Sequence, residues 1–354
     1  MIGDIISQLG GQSHLEESLS KNLAWITKSF AYNNNLGSCS YKNELGFNST
    51  TYPETTGYLL ITLLKAYEHS QNERFLELAN NQIKFFSSIQ NTDGSFFQKE
   101  NNRQPIIFDT AQILLGFCRL YQHTPTDVIL DIVTKSLNWL NSNLNTEGIF
   151  LNYNYKKSYN PSYYTRVFWP MLEASNVLEL EHSSDVVNGI ERIIKSQNKS
   201  LSFPDTSFDG QVKALTHTMA YTVRGLLECS ILSSRSDIFS IVEKYMDKMQ
   251  KIVVRDEKLF GSYNQDWEPD KSFVCVAGNL QFALIALKLD TPKYIQLITT
   301  LLSPVIKSQR SFGFNKGAVP SSLPIWGKYQ RFRYTNWTQK FYSDALLHLL
   351  NKSL

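Results

Sequence analysis

The sequence predicts an all-α fold, a closed (α/α)6 toroid in which six helical hairpins form one domain over residues 1–354 and the inner helices line a central cavity. Three observations carry this expectation. A degenerate unit of about 50 residues repeats end to end, and a period that long belongs to arrays of helix pairs. Each unit holds one amphipathic run and one run that is apolar nearly all round. The units number six, the count at which a double ring of helices closes rather than ending as an open solenoid with polar caps. An open superhelix of helix pairs is the competing arrangement.

The repeat is marked by a turn after each amphipathic run. Leu36-Gly37-Ser38, Asp93-Gly94-Ser95-Phe96, Glu147-Gly148-Ile149-Phe150, Ser202-Phe203, Phe260-Gly261-Ser262-Tyr263 and Ser311-Phe312-Gly313-Phe314 occupy matching places. Gln90, Gln197, Gln250 and Gln309 stand just before four of them. A helix end needs polar partners there, and a glycine takes the left-handed conformation. These residues are read as turn and cap chemistry.

The first runs, such as Phe75–Phe86 and Ile129–Leu140, carry a polar stripe and are expected to face water on one side. The second runs begin near Gly57, Thr110, Val167, Met219, Leu280 and Phe341. They are apolar on nearly every face, as helices buried on both sides must be. The apolar pattern thus distinguishes outer helices from inner ones.

Composition excludes several classes. A net charge of +3 without a long basic run is too mild for a nucleic-acid surface. No apolar stretch reaches membrane-spanning length, and the N-terminus has no signal-peptide pattern. Cys39, Cys118, Cys229 and Cys275 are far apart, with no Cys-x-x-Cys pair. That usage fits a reduced compartment, so a cytoplasmic protein is expected.

In such a ring each outer-to-inner loop feeds an inner helix whose N-terminus points at the mouth of the cavity. All six loops therefore bring exposed amides and positive dipole ends to one place. The residues at these helix starts converge: Glu54 and Tyr58; Asp109; Tyr164 and Arg166; His217 and Tyr221; Asn279 and Gln281; Asn336 and Trp337. Glu54 and Asp109 also suit a simple dipole-favouring role in a first helical turn. Arg166 and Arg224 lie in or beside apolar runs, where a guanidinium needs an acid or an anionic ligand. A structural ion pair is expected for Arg224 and a ligand for Arg166. The loops Asn152–Tyr164 and Trp326–Trp337 mix Tyr and Trp with Asn, Lys and Arg, including Trp326 and Arg333. Flat rings rimmed by donors suit sugars, and the cations suit sugars bearing carboxylate or phosphate.

The stretches Tyr52–Tyr58, Thr216–Glu228, Ala277–Gln281 and Pro324–Tyr329, with Asn336-Trp337 and Lys340-Phe341, resemble a bacterial family of helical-toroid proteins associated with polysaccharide biosynthesis. The toroid itself resembles those of six-hairpin glycosidases and terpenoid cyclases. The resemblance implies a capsule or exopolysaccharide setting, a sugar-containing ligand and, among partners, polysaccharide-assembly proteins. It transfers no catalytic assignment. Squalene- and terpene-type cyclases protonate an alkene with an Asp-x-Asp-Asp segment, and none occurs here. Cys275 and His217 are too few to hold a zinc, so neither metal nor cofactor is expected.

Three readings follow. The first is a glycoside hydrolase of an acidic poly- or oligosaccharide with Glu54 and Asp109 as its pair. Neighbouring helices lie roughly 8 to 10 Å apart, close to the roughly 6.5 to 9.5 Å of an inverting acid/base pair. Asp266, Glu268 and Asp270 are spare carboxylates. The second is a uronic-acid lyase or C5-epimerase. Arg166 and Asn279 would neutralise the sugar carboxylate, while His217 and a tyrosine, Tyr164 or Tyr221, move protons. The third is a non-catalytic glycan-binding or assembly protein.

Overall fold

The structure, a computed structural model, describes residues 2–99 and 102–351. After a short helix α1 (Ile2–Gln8), the chain alternates outer and inner helices. The outer helices are α2 (Gln12–Ala31), α4 (Glu73–Ile89), α6 (Asp127–Ser142), α8 (Ser184–Lys195), α10 (Ser236–Asp256) and α12 (Ile295–Lys307). The inner helices are α3 (Pro53–Ser70), α5 (Ile107–His123), α7 (Thr165–Val177), α9 (Thr216–Leu232), α11 (Val276–Leu289) and α13 (Asn336–Asn351). The inner helices pack in the cycle α3, α5, α7, α9, α11, α13 and back to α3, so the ring is closed. The open superhelix is excluded.

Burial follows the sequence pattern. In α4 the buried positions are Phe75, Leu78, Ala79, Gln82, Phe85, Phe86 and Ile89, one face of a 3.6-residue period. In α11 every residue from Val276 to Leu287 is buried. Two of the glutamines before the turns bind them: Gln90 Nε2 donates to the Gly94 carbonyl at 3.0 Å, and Gln197 Nε2 to that of Leu201 at 3.0 Å. Gly94 has φ +94°, and a Cβ there would stand 2.3 Å from the Lys135 carbonyl oxygen, so only glycine fits.

The helix pairs are joined differently from the simple outer-then-inner order. Short turns make hairpins of each inner helix with the outer helix that follows it, whereas the long loops cross the mouth. The last inner helix, α13, consequently pairs with α2 at the far end of the sequence. A polar seam fixes this closure. Buried Asn22 donates to Gln339 Oε1 at 2.9 Å and to the Gly317 carbonyl at 3.0 Å, and it accepts from Ser343 Oγ at 2.8 Å.

Short antiparallel strand pairs order the mouth loops. They are β1 (Tyr41–Asn43), β2 (Phe97–Lys99), β3 (Asn102–Pro105), β4 (Ala214–Leu215), β5 (Ser262–Tyr263), β6 (Val274–Cys275), β7 (Ser322–Leu323) and β8 (Arg333–Thr335). β1 pairs with β8, which links the first and last inner-helix starts. This pair, β4–β5 and β6–β7 tie neighbouring loops together, and β2–β3 is a hairpin within one loop. No described helix is long and apolar enough to cross a membrane.

Candidate active site

Several outer helices begin with side-chain caps: Asn72, Thr126 and Ser183 accept from the backbone amides of α4, α6 and α8. The starts of α3, α5, α7, α9 and α11 have no such cap. Their amide ends and positive dipole ends are left for the strand pairs and for whatever occupies the mouth.

A cavity of about 320 Å³ opens there. Tyr52, Glu54 and Tyr58 reach it from α3 and its cap, Phe108 from α5, His217 and Tyr221 from α9, and Trp337 from α13. Loops add Gln98, Tyr155, Phe208, Tyr329 and Gln330. Below it the rings of Tyr58, Tyr221, His217 and Phe341 meet across the toroid axis at centroid distances of 4.4 to 6.3 Å. The cavity is therefore blind.

Glu54 and Asp109 lie in the first turns of neighbouring inner helices, both nearly or wholly buried. Glu54 borders the cavity and accepts a hydrogen bond from Thr55 Oγ1 at 2.8 Å. Burial, and then the charge of Asp109, hold its carboxyl well above the usual range. Asp109 is sealed behind Tyr155, whose hydroxyl donates to Oδ1; its Oδ2 is buried without a hydrogen-bond partner. Burial also raises Asp109, against the pull of the Tyr155 hydrogen bond. Asp109 thus meets the cavity only through Tyr155, a residue absent from the sequence-based set of site residues. Tyr52, Gln98, Phe108, Phe208, Tyr329 and Gln330 were missed with it. Except for Tyr52 and Phe108, they lie in the long connections between helices, where no helical period announces direction.

His217 is present at the mouth, but not as a base. Its Nδ1 lies 2.8 Å from Gln281 Nε2. The same amide nitrogen faces the Ala277 and His217 carbonyls at 3.2 and 3.4 Å, which identifies it as the donor. The Nδ1 lone pair is thereby occupied and the imidazole proton sits on Nε2. Burial, and then the Arg166 charge, lower the His217 pKa to about 3. The ring is a neutral donor at any ordinary pH, with no free lone pair for proton abstraction.

Other expected site residues fall elsewhere. Arg166 lies beneath the aromatic floor rather than in the mouth. Its guanidinium is sandwiched between Trp169 and Tyr221, 4.7 and 5.0 Å from the ring centroids, and Nη2 donates to Gln112 Oε1 at 2.7 Å. Arg224 forms the expected ion pair, with Glu228 at 2.6 Å. Tyr164 donates to Asn154 Oδ1 at 2.7 Å and does not reach the cavity. Asn279 turns outward to the Leu301 carbonyl at 3.3 Å. Asn336 binds the Cys39 carbonyl at 2.5 Å and is part of the ring closure. Trp326 is exposed beside a separate surface hollow, and Arg333 stacks on Tyr41 while donating to Gln330 Oε1 at 2.9 Å. Trp337 borders the cavity and donates to the Tyr329 hydroxyl at 2.7 Å. Of the spare carboxylates, Asp270 is paired with Lys328 at 2.6 Å and Glu268 accepts from Asn264 at 2.9 Å. Neither these two nor Asp266 borders the cavity. Among the described residues no three His, Cys, Asp or Glu side chains converge as a metal site requires.

No family model and no curated protein matches the sequence. Solved structures match it in fold. A cellobiose 2-epimerase from Bacillus thermoamylovorans has a TM-score of 0.77 over 96% of this chain and 99% of its own, at 12% identity. An unsaturated glucuronyl hydrolase from Bacillus sp. GL1 has 0.76 over 95% and 96%, also at 12%. An alpha-amylase from Clostridium perfringens has 0.71 over 94% and 97%, at 11%. At such identities the likeness is one of fold, and the fold is the closed (α/α)6 toroid.

Proposed function

We propose that the chain is a glycoside hydrolase acting at the end of a poly- or oligosaccharide in bacterial capsule or exopolysaccharide metabolism. The observation that carries this reading is the pair of buried carboxyls, Glu54 and Asp109, on adjacent inner helices in unlike surroundings. Two carboxyls whose environments separate their protonation divide the acid and base roles between them. Glu54, which borders the cavity and whose carboxyl is raised by burial and by Asp109, gives its proton to the leaving glycosidic oxygen as the anomeric C–O bond breaks. A water oxygen bonds to the anomeric carbon. Its proton passes to the Tyr155 hydroxyl oxygen as Tyr155 passes its own to Asp109. Glu54 is left ionised and Asp109 protonated, and solvent restores both.

The blind cavity supports attack at a chain end, and its tyrosines and Trp337 supply the flat apolar faces that sugars stack on. The fold neighbours named above are, by their names, proteins of carbohydrate chemistry, which supports the ligand class. Among the described residues no Lys or Arg borders the cavity. An acidic sugar would meet the His217 Nε2–H inside, and Arg331 and Arg333 beside Gln330 at the rim. The four free and buried cysteines accord with a reducing compartment such as the cytoplasm. The lyase or epimerase reading loses His217 as a base, because its lone pair is engaged, and would rest on Tyr221, which borders the cavity.

The test is incubation with a panel of acidic and neutral bacterial oligosaccharides, following new reducing ends, unsaturated uronate absorbance and deuterium incorporation from solvent. Reducing ends alone are expected. Absorbance, or deuterium without cleavage, would replace the hydrolase by a lyase or an epimerase.

A further inference from the structure

At the opposite end of the toroid, beneath the aromatic floor, lies a second cavity of about 230 Å³. It shares no lining residue with the mouth, and its chemistry is different. Six Lys and Arg side chains border it against three carboxylates, with Glu68 beside it paired to Arg119, a net of two positive charges.

The pairing within it is incomplete. Arg224 Nε and Lys288 Nζ both approach one oxygen of Glu228 at 2.6 Å, so two cations share one carboxylate. Lys340 is matched by Asp344 at 2.5 Å. Among the described residues Arg166, only 3% exposed, has no carboxylate within ion-pair distance, and its Nε has no hydrogen-bond partner. Half-buried Lys65 has no ion-pair partner among the described residues. A buried guanidinium left this way is costly unless an anion completes it.

Helix dipoles do not account for the excess. The inner helices end at this side, and a cation in a last turn answers the negative dipole end, as Lys288 does. Arg166 lies in the first turn of α7, Arg224 in the middle of α9, and Lys65 more than a turn before the end of α3. The dipole effect does not extend that far.

We propose that this cavity is a binding site for a phosphate-class dianion, held by Arg166, Arg224 and Lys65 and walled by the Trp169 ring. The guanidinium groups of Arg166 and Arg224 flank that ring at 4.7 and 5.6 Å from its centroid, so both are oriented. Planar guanidinium forks suit phosphoryl oxygens. The buried, unpartnered Gln281 Oε1 borders the same cavity and would accept from a monoprotonated phosphate. Gln281 also holds His217, which gives the site a physical link to the mouth.

The test is calorimetric titration of the full chain with inorganic phosphate and with a sugar 1-phosphate, at constant ionic strength with chloride as the control. Saturable binding of phosphate and none of chloride are expected. Lys65→Gln and Arg224→Gln should each weaken it by about tenfold, as loss of one charge-assisted contact implies. Glu54→Gln, at the mouth, should leave it unchanged. Tighter binding of the sugar phosphate would identify a phosphorylated sugar as the occupant, and equal binding would identify free phosphate. No saturable phosphate binding, equal affinity in both charge variants, or loss of binding in Glu54→Gln would overturn the proposal. Circular dichroism of each variant separates misfolding from lost contacts, and Lys65, half-exposed and unpaired, is the variant least able to disturb folding.

Discussion

Gly116 of α5 lies directly against Gly57 of α3: a Cβ at position 116 would stand 2.0 Å from the Gly57 carbonyl oxygen, and one at 57 would stand 2.6 Å from Ile113 Cα. Two glycines facing each other bring these two inner helices closer than side chains would allow. Glu54 sits one turn before Gly57, and Asp109 two turns before Gly116. The glycine contact therefore sets the spacing of the carboxyl pair. Gly116→Ala must push the helices apart and is expected to destabilise the fold by about 1–3 kcal/mol, as overpacking does. It should also lower kcat more than it raises KM. Urea unfolding and steady-state kinetics check both, and unchanged stability would show that the contact is loose.

The carboxyl pair also makes a prediction about pH and stability. A folded carboxyl raised above its unfolded value, about 4.3 for Glu, contributes its full stability below that value. The contribution is lost as pH rises through the folded value. Both carboxyls are raised, so the pair makes the fold progressively less stable from about pH 4 upward. Glu54→Gln should remove part of that decline and be more stable than the parent at pH 8 by about 0.5–2 kcal/mol, the usual gain when a strained functional group is neutralised. Unfolding at pH 5 and pH 8 measures it. An equal decline in parent and variant would contradict the assignment.

His217 titrates in the opposite sense. With its folded pKa lowered to about 3, the protein loses stability as pH falls from about 6.5, where an unfolded histidine protonates, toward 3. Nitrogen-15 NMR should show a neutral imidazole protonated on Nε2 at pH 5. In Gln281→Leu the donor to Nδ1 is gone, and the tautomer should mix. A charged imidazole at pH 5 in the parent would contradict the hydrogen-bond arrangement.

The ring closure is testable at Asn22. Asn22→Ala removes its hydrogen bonds to Gln339, Gly317 and Ser343 and leaves buried polar groups without partners, at a cost of about 2–4 kcal/mol. Equilibrium unfolding checks it. A cost near zero would mean that apolar packing between α2 and α13 closes the ring unaided.

The toroid was legible because its information is periodic. The outer helices repeat apolar residues on one face, the inner ones on all faces, and a turn glutamine or glycine marks each unit. Glu54, Asp109, His217, Tyr58, Tyr221 and Trp337 were legible for the same reason: each stands at or within about two turns of an inner-helix start, and those starts converge. Arg166 shares that position, but its long side chain runs downward between Trp169 and Tyr221, a direction no spacing reveals. Asn279 and Asn336 are polar residues at helix starts whose partners, the Leu301 and Cys39 carbonyls, come from distant segments. Tyr155 lies on an irregular loop, and its approach to Asp109 is purely tertiary.

The central claim is tested most directly by the rate of reducing-end release from the best-cleaved oligosaccharide by Glu54→Gln, measured beside the parent and Asp109→Asn. Loss of the general acid predicts a fall in kcat of roughly 10²–10⁴-fold, with circular dichroism unchanged. Asp109→Asn should fall similarly, because Tyr155 then has no carboxylate to receive its proton. Full turnover in both variants would contradict the account and remove the hydrolase assignment.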